Sequence, residues 1–260
     1  MQPAVTFVLG KPPERTPVVA AVIGALAAGG ALIQTVVPSR GQELPLDIAG
    51  QRLIVQRGLS RPHLAALEPW AERCCNDPRS VAITGDRQAT VNQLAAGGLT
   101  VPPAEVVTDY THVPRSSGKY VIKSLDATIG RGASVLLPNE PVPDQAPFPG
   151  PYLVQRFIHG WEAKLYVFGD QVRGLARPSS RRSGGRVFSP GGELVELARG
   201  VGITLGLELF GVDVIVTSDR AYVVDVNPFP AASKVAGSAE LITAYLRTRV
   251  ASAPPEPSAP

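Results

Sequence analysis

Hydrophobic and polar positions change period several times along the chain, and those changes mark its elements. Residues 5–10, VTFVLG, are a short apolar run that predicts a strand. The uncharged stretch at residues 17–37, PVVAAVIGALAAGGALIQTVV, approaches the length of a membrane span. Gly29 and Gly30 break it, Gln34 and Thr35 follow, and most of the rest is Ala, Val and Gly. A helix over residues 17–28 closed by glycine, then a buried strand over residues 31–37, fits the same pattern and completes a β-α-β unit. A signal sequence or membrane anchor is the alternative reading of this run.

Further on, residues 81–103 predict a short strand or loop, then a helix capped by Thr84 or Asp86, a stop at Gly97 and Gly98, and an exit through prolines. Arg87 falls in the first helical turn, where the helix dipole disfavours a cation unless an anion shares the position. Residues 120–137, YVIKSLDATIGRGASVLL, predict strand, glycine loop, strand. Lys123 lies between Val121 and Leu125 on one strand face, so it is either at an edge or held near an anion. Gly130 and Gly132 allow the loop backbone to approach phosphate, with Arg131 as an added charge. The spacing is not that of a Walker loop.

Residues 152–177 predict strands joined by a tight turn at Gly169-Asp170, with Lys164, Tyr166 and Phe168 on one face and Arg177 at a strand end. A long basic loop over residues 178–192 holds Arg181, Arg182 and Arg186, and reads equally as a lid over an acidic substrate or as a disordered surface loop. Leu194, Leu197, Ala198, Val201 and Leu205 form the apolar stripe of the helix that follows.

Residues 210–230, FGVDVIVTSDRAYVVDVNPFP, predict a hairpin with Val212, Val214, Val216, Tyr222, Val224 and Val226 on one face. Asp213, Asp225 and Asn227 take the other face. A three-residue loop at 218–220 sets Asp213 directly across from Asp225, with Cβ atoms about 5 Å apart. Two carboxylates that close need a proton or a cation between them, and the amide oxygen two residues on favours a hard cation such as Mg²⁺. An exposed polar hairpin face is the plainer alternative.

Composition narrows the class. The chain has 260 residues, 44% hydrophobic and 18% charged, enough for one large core or several small ones. A net charge of +3 does not by itself imply nucleic acid. The only cysteines, Cys74 and Cys75, are adjacent, and with three histidines they make no zinc pattern, which suits a reducing cytoplasm. Pro and Gly gather at residues 38–45, at Pro102 and Pro103, and across residues 138–151 and 177–192, the candidate hinges. The end, ASAPPEPSAP, reads as a disordered tail.

In this order the motifs VIKSLDATIGRGAS, VQRFI, KLYVFGD with ARPS, and VDVIV with VVDVNPFP resemble the ATP-grasp superfamily over residues 5–250, in particular RimK-type glutamate ligases. Inositol polyphosphate kinases share that fold. The resemblance implies an α/β (α+β) fold with an N-terminal β-α-β pre-ATP-grasp domain over residues 1–80, and two α+β subdomains enclosing ATP, over residues 81–150 and 151–250, before a tail at 251–260. It implies that Asp213, Asp225 and Asn227 hold Mg²⁺, or Mn²⁺ in its place. Arg87 and Lys123 would contact ATP phosphates, and Gly130, Arg131 and Gly132 would close over them. Gln155, Arg156, Phe157 and Ile158 would form the adenine hinge, while Lys164 and Arg177 would face phosphate or acceptor as the catalytic basic pair. The implied activity is amide formation from a small-molecule or peptide carboxylate and an amine through an acylphosphate. A small-molecule kinase and a degenerate ATP binder are the alternatives. Nucleic acid and membrane partners are not expected, and a homo-oligomer is compatible with the sequence. Pro228 after Asn227, Ala231 in place of glycine, and Arg156 where many ligases have Glu depart from the pattern and bear on acceptor specificity.

Overall fold

A computed structural model describes residues 4–39, 41–44, 51–113, 120–127, 133–135, 145–146, 148–177, 185–230 and 232–252. Gly130, Arg131, Gly132, Arg181, Arg182 and Ala231 lie outside the described residues, as do residues 253–260 of the expected tail.

The first apolar run forms β1 (Ala4–Leu9), followed by α1 (Pro17–Ala28), β2 (Leu32–Val36) and β3 (Leu53–Arg57), the strands pairing parallel in the order β2-β1-β3. Pro17 opens α1 at a position that needs no amide hydrogen, and Gly29 closes it, as the pattern predicts. The strand after it corrects the expectation of burial: β2 is an edge strand with Leu32 56% exposed, because β1 alone separates it from β3. Among the described residues no helix is long and apolar enough to cross a membrane.

Three helices follow, α2 (Arg61–Leu67), α3 (Pro78–Thr84) and α4 (Arg87–Ala96). Residues 81–84 therefore belong to a helix rather than to a strand or loop, since Asp77 accepts from the Arg79 amide at 2.7 Å and Pro78 takes the first helical position. Asp86 caps α4 through the amides of Gln88 and Ala89, both at 3.0 Å.

The central sheet comprises β4 (Ala104–Val107), β5 (Tyr120–Ser124), β6 (Ala133–Val135) and β7 (Tyr152–Arg156), in the order β4-β7-β5-β6. Ile122, Tyr152 and Val154 pack on its outer face with Val107, Tyr110 and Val113. By the ladder register, Val121, Lys123, Leu153 and Gln155 share the opposite face.

A second antiparallel sheet contains β8 (Trp161–Phe168), β9 (Gln171–Arg177) and β10 (Arg186–Phe188), then, after α5 (Gly192–Leu205), β11 (Leu209–Val216) and β12 (Ala221–Pro228), in the order β10-β9-β8-β11-β12. Arg186 thus starts a short strand instead of lying in a continuous loop. Ala198, Val201 and Leu205 of α5 bury Leu165, Val167, Val212 and Val214. The other face of the sheet carries Lys164, Tyr166 and Phe168, the last two packed against the N-terminal unit together with α6 (Ser238–Ser252), which extends two residues into the expected tail.

One buried amide joins the two units. Asn76 Oδ1 accepts from the backbone amides of Glu208 at 2.9 Å and Leu209 at 3.0 Å, its Nδ2 donates to the Leu209 carbonyl at 2.8 Å, and its own carbonyl accepts from Gln56 of β3. Asn76 is 3% exposed. Asn76→Ala removes three of these bonds and leaves buried amides unpaired, so urea denaturation should show a loss of about 3 kcal/mol.

Candidate functional site

The β11–β12 hairpin places the three oxygen side chains on the face away from α5, and Asp213 and Asp225 are direct ladder partners. The route to that pairing differs from the expected one. Val216 pairs with Ala221, so the loop has four residues, and an irregularity between Asp213 and Val214 absorbs the extra one opposite. The bulge also corrects the apolar face. Val223 and Val226 are buried at 1% and 4% exposed, whereas Tyr222 and Val224 are only partly buried.

Val224 lies on the edge strand of its sheet, and its carbonyl accepts from the Lys123 ammonium of the central sheet at 2.6 Å. The Val223 amide donates to the Thr100 carbonyl at 2.9 Å. Lys123 is 8% exposed, and burial pushes its pKa down, Asp225 opposing that and Arg87 adding to it. Gln155, on the same face, is 2% exposed, and its Nε2 has no hydrogen-bond partner among the described residues.

Arg87 arrives from the N-terminus of α4. Its amide donates to the Leu125 carbonyl at 2.9 Å and Ala127 donates to Gly85 at 3.0 Å, which stitches the helix start to the end of β5. Its Nη1 donates to the Ser124 carbonyl at 2.7 Å, and its Nε, buried and without a hydrogen-bond partner among the described residues, lies 3.8 Å from Asp225 Oδ1. The cation at a helix N-terminus is thus held by carbonyl oxygens and faces a carboxylate.

Asp213 receives Lys164 Nζ at 3.0 and 3.1 Å on its two oxygens, with Arg177 Nη2 at 3.5 Å. Burial raises its pKa, against the pull of those two cations and with a push from Asp225. Arg177 also pairs with Glu162. Asn227 Nδ2 lies 3.3 Å from Asp225 Oδ2. Among the described residues no group of three or more His, Cys, Asp or Glu could hold a metal. The candidate oxygen set is therefore two carboxylates and one amide. The orphaned Arg87 Nε and Gln155 Nε2 fit a phosphate and a base respectively, and the facing carboxylates of Asp213 and Asp225 fit a hard dication.

The hinge residues separate. Gln155 faces the cleft, while Arg156 is exposed, its amide donating to the Pro103 carbonyl at 2.8 Å. Phe157 and Ile158 follow β7 in irregular backbone, partly buried, with the Phe157 ring 4.9 Å from that of His159.

Beside this cleft lies a cavity of about 580 Å³ between the N-terminal sheet and the second sheet. Lys164, Tyr166, Arg177 and Asn227 line one side, and Lys11, Arg57 and Lys234 the other. These last three were not singled out from the sequence. Lys11 and Arg57 each sit next to a glycine at a strand's end, in Gly10-Lys11 and Arg57-Gly58, and Lys234 carries no such signal.

With this geometry in view, comparison with known proteins is decisive for the fold. The RimK domain protein of Sphaerobacter thermophilus, an ATP-grasp structure, superposes with a TM-score of 0.70 over 93% of this chain and 98% of its own, at 19% identity. The chain has the ATP-grasp fold. The ATP-grasp ligase PsnB with its minimal precursor matches at 0.70 and 16% identity over 96% of this chain and all of its own, 100%. D-Alanine–D-alanine ligase from Bacillus anthracis, complexed with ATP, matches at 0.69 and 13% identity over 96% and 98%. Residues 180–248 match the family of the inositol 1,3,4-trisphosphate 5/6-kinase ATP-grasp domain. No curated protein matches the sequence.

A buried ammonium whose one hydrogen-bond acceptor among the described residues is a neutral carbonyl costs stability. Because the folded pKa of Lys123 lies below its unfolded one, the unfolded chain holds more protons between those values and stability rises with pH there. Lys123→Met should therefore keep or raise the nucleotide-free melting temperature at neutral pH and flatten that alkaline rise. A destabilised variant would show that the contact to Val224 outweighs the burial.

Proposed function

We propose that the chain is an ATP-dependent carboxylate-amine ligase that binds nucleotide in the cleft between the central and second sheets and an acid acceptor in the adjoining cavity. The observation that carries this reading is Lys164, which bonds Asp213 at the cleft and lines the cavity, so that one cation serves both compartments. The fold shared with an ATP-grasp ligase complexed with a precursor peptide and with D-alanine–D-alanine ligase supports it.

In this reading Arg87 and Lys123 hold the ATP phosphates, with Gly130, Arg131 and Gly132 as the covering loop, and Gln155 to Ile158 flank adenine. Asp213, Asp225 and Asn227 would hold Mg²⁺, or Mn²⁺, which when bound neutralises phosphate charge. Lys164 and Arg177 orient the acceptor carboxylate toward the γ-phosphorus. A carboxylate oxygen bonds to that phosphorus as its bond to the bridging oxygen breaks, giving ADP and an acylphosphate. An amine then attacks the acyl carbon, the carbon–oxygen bond to phosphate breaks, and the surplus amine proton passes to solvent. The cations stabilise the charge that gathers on the transferring group and supply no covalent nucleophile.

The units over residues 1–80, 81–150 and 151–250 would contribute the cavity floor, the phosphate-side sheet and the carboxylate hairpin. Both cysteines are buried free thiols whose pKa values burial pushes up to about 12, in keeping with a reducing, cytoplasmic setting. Among the described residues five cations and no acidic residue line the cavity, and with the match over residues 180–248 this favours one second reading, phosphoryl transfer to a hydroxyl of a polyanionic molecule.

A screen of acids and amines with Mg²⁺-ATP separates them. The ligase releases inorganic phosphate only when both acid and amine are present, and Asp225→Asn lowers that rate by about a hundredfold or more. ATP consumed with phosphate retained on the acceptor would establish the kinase instead. Unchanged metal-dependent ATP binding in Asp225→Asn would remove that carboxylate from the metal site.

A further inference from the structure

The two ends of the cavity differ in charge balance. At one end Lys164 and Arg177 are compensated by Asp213 and Glu162. At the other, Arg57 has only neutral acceptors among the described residues: Nε donates to the Phe229 carbonyl at 3.2 Å and Nη1 to Thr16 Oγ1 at 3.3 Å. Among the described residues neither Arg57 nor its neighbours Lys11 and Lys234 has a carboxylate partner. Arg57 is partly desolvated, which pulls its pKa down. A guanidinium withdrawn from water without an anion is costly, and its remaining donors form a fork that matches a carboxylate or phosphate.

This end of the cavity is built, not incidental. A Cβ on Gly10 would come within 1.9 Å of the Gly58 carbonyl, so the ends of β1 and β3 touch and hold Lys11 and Arg57 side by side. Phe229 adopts φ 49, a left-handed conformation unusual for a bulky residue, with its ring buried at 3% exposed and its amide bonded to the Leu209 carbonyl at 2.9 Å. That strained turn presents the carbonyl that fixes Arg57. A volume of about 580 Å³ suits a small-molecule ligand.

We propose that Arg57, with Lys11 and Lys234, is the specificity determinant for an acceptor acid bearing a second anionic group, a carboxylate or a phosphate, at the end remote from the reacting carboxylate. The assignment rests on the ligase reading for which end reacts, whereas the selection of a dianion is measured without nucleotide.

Calorimetry on the full chain compares glutarate with monomethyl glutarate, which is of similar shape and carries one charge fewer, and with 3-phosphonopropionate. Glutarate should bind at least about tenfold more tightly than its monoester, and Arg57→Gln should reduce that ratio to about twofold or less. A phosphonate tighter than glutarate marks the anchor as a phosphate site, and a weaker one as a carboxylate site. If Arg57→Gln fails to fold, the double variant Lys11→Gln, Lys234→Gln at exposed positions reads the same ratio and should lower it severalfold. Equal affinity for diacid and monoester, no binding of either up to about 10 mM, or a ratio unmoved by the variants overturns the proposal. A preserved ratio in a protein that releases no phosphate with any acid and amine would instead defeat the ligase reading and leave the anion selection standing.

Discussion

Two carboxylates that face each other across adjacent strands set the terms for everything around them. Asp213 and Asp225 are ladder partners, a spacing at which like charges repel unless cations intervene. The protein answers with Lys164 and Arg177 on one acid and Arg87 beside the other. Each of these cations comes from a different element, so the pair of acids fixes how β8, β9 and α4 meet the hairpin. Lys123 adds a further desolvated cation through the Val224 carbonyl. Among the described residues positive charge in the cleft therefore exceeds negative, the balance that a nucleotide phosphate and its metal would restore.

The scaffold that maintains this geometry is largely polar where the units join. Asn76 ties β3 to the start of β11, and the Tyr245 hydroxyl of α6 lies 2.7 Å from Glu208, which also pairs with Arg249 at 2.6 Å. Apolar packing of α1 and α6 against β1, β3 and the Tyr166 face of β8 supplies the bulk of the joint. The cavity floor and the carboxylate hairpin consequently belong to one packed body, and the strained Phe229 turn that leads out of β12 carries that rigidity to Arg57.

Much of the cleft was legible in the sequence because strand alternation is a local property. The two faces of residues 210–230 put Asp213, Asp225 and Asn227 together, whereas Lys123, expected either at an edge or near an anion, is buried in an inner strand with a neutral carbonyl as its hydrogen-bond acceptor. Residues 17–28 read as a helix because proline and glycine bracket them. The rest depended on information that alternation does not contain. A four-residue loop and a bulge compensate each other, so the acid pairing was right while the positions of Tyr222 and Val224 were not. Arg57 and Lys11 become neighbours only when the ends of two parallel strands meet, a long-range pairing that local pattern cannot register. The exposure of β2 likewise follows from strand order, and the helical state of residues 81–84 from a cap and proline upstream of the run.

The central claim is that this cleft is a metal-dependent nucleotide site, and thermal unfolding with a non-hydrolysable ATP analogue, with and without Mg²⁺, tests it most directly. At a hundredfold excess over the dissociation constant, binding adds about 2.7 kcal/mol, or roughly 5–10 °C for a chain of this size. The account predicts that shift with Mg²⁺ and little of it in the presence of a chelator. No shift, or an equal shift without metal, would contradict it.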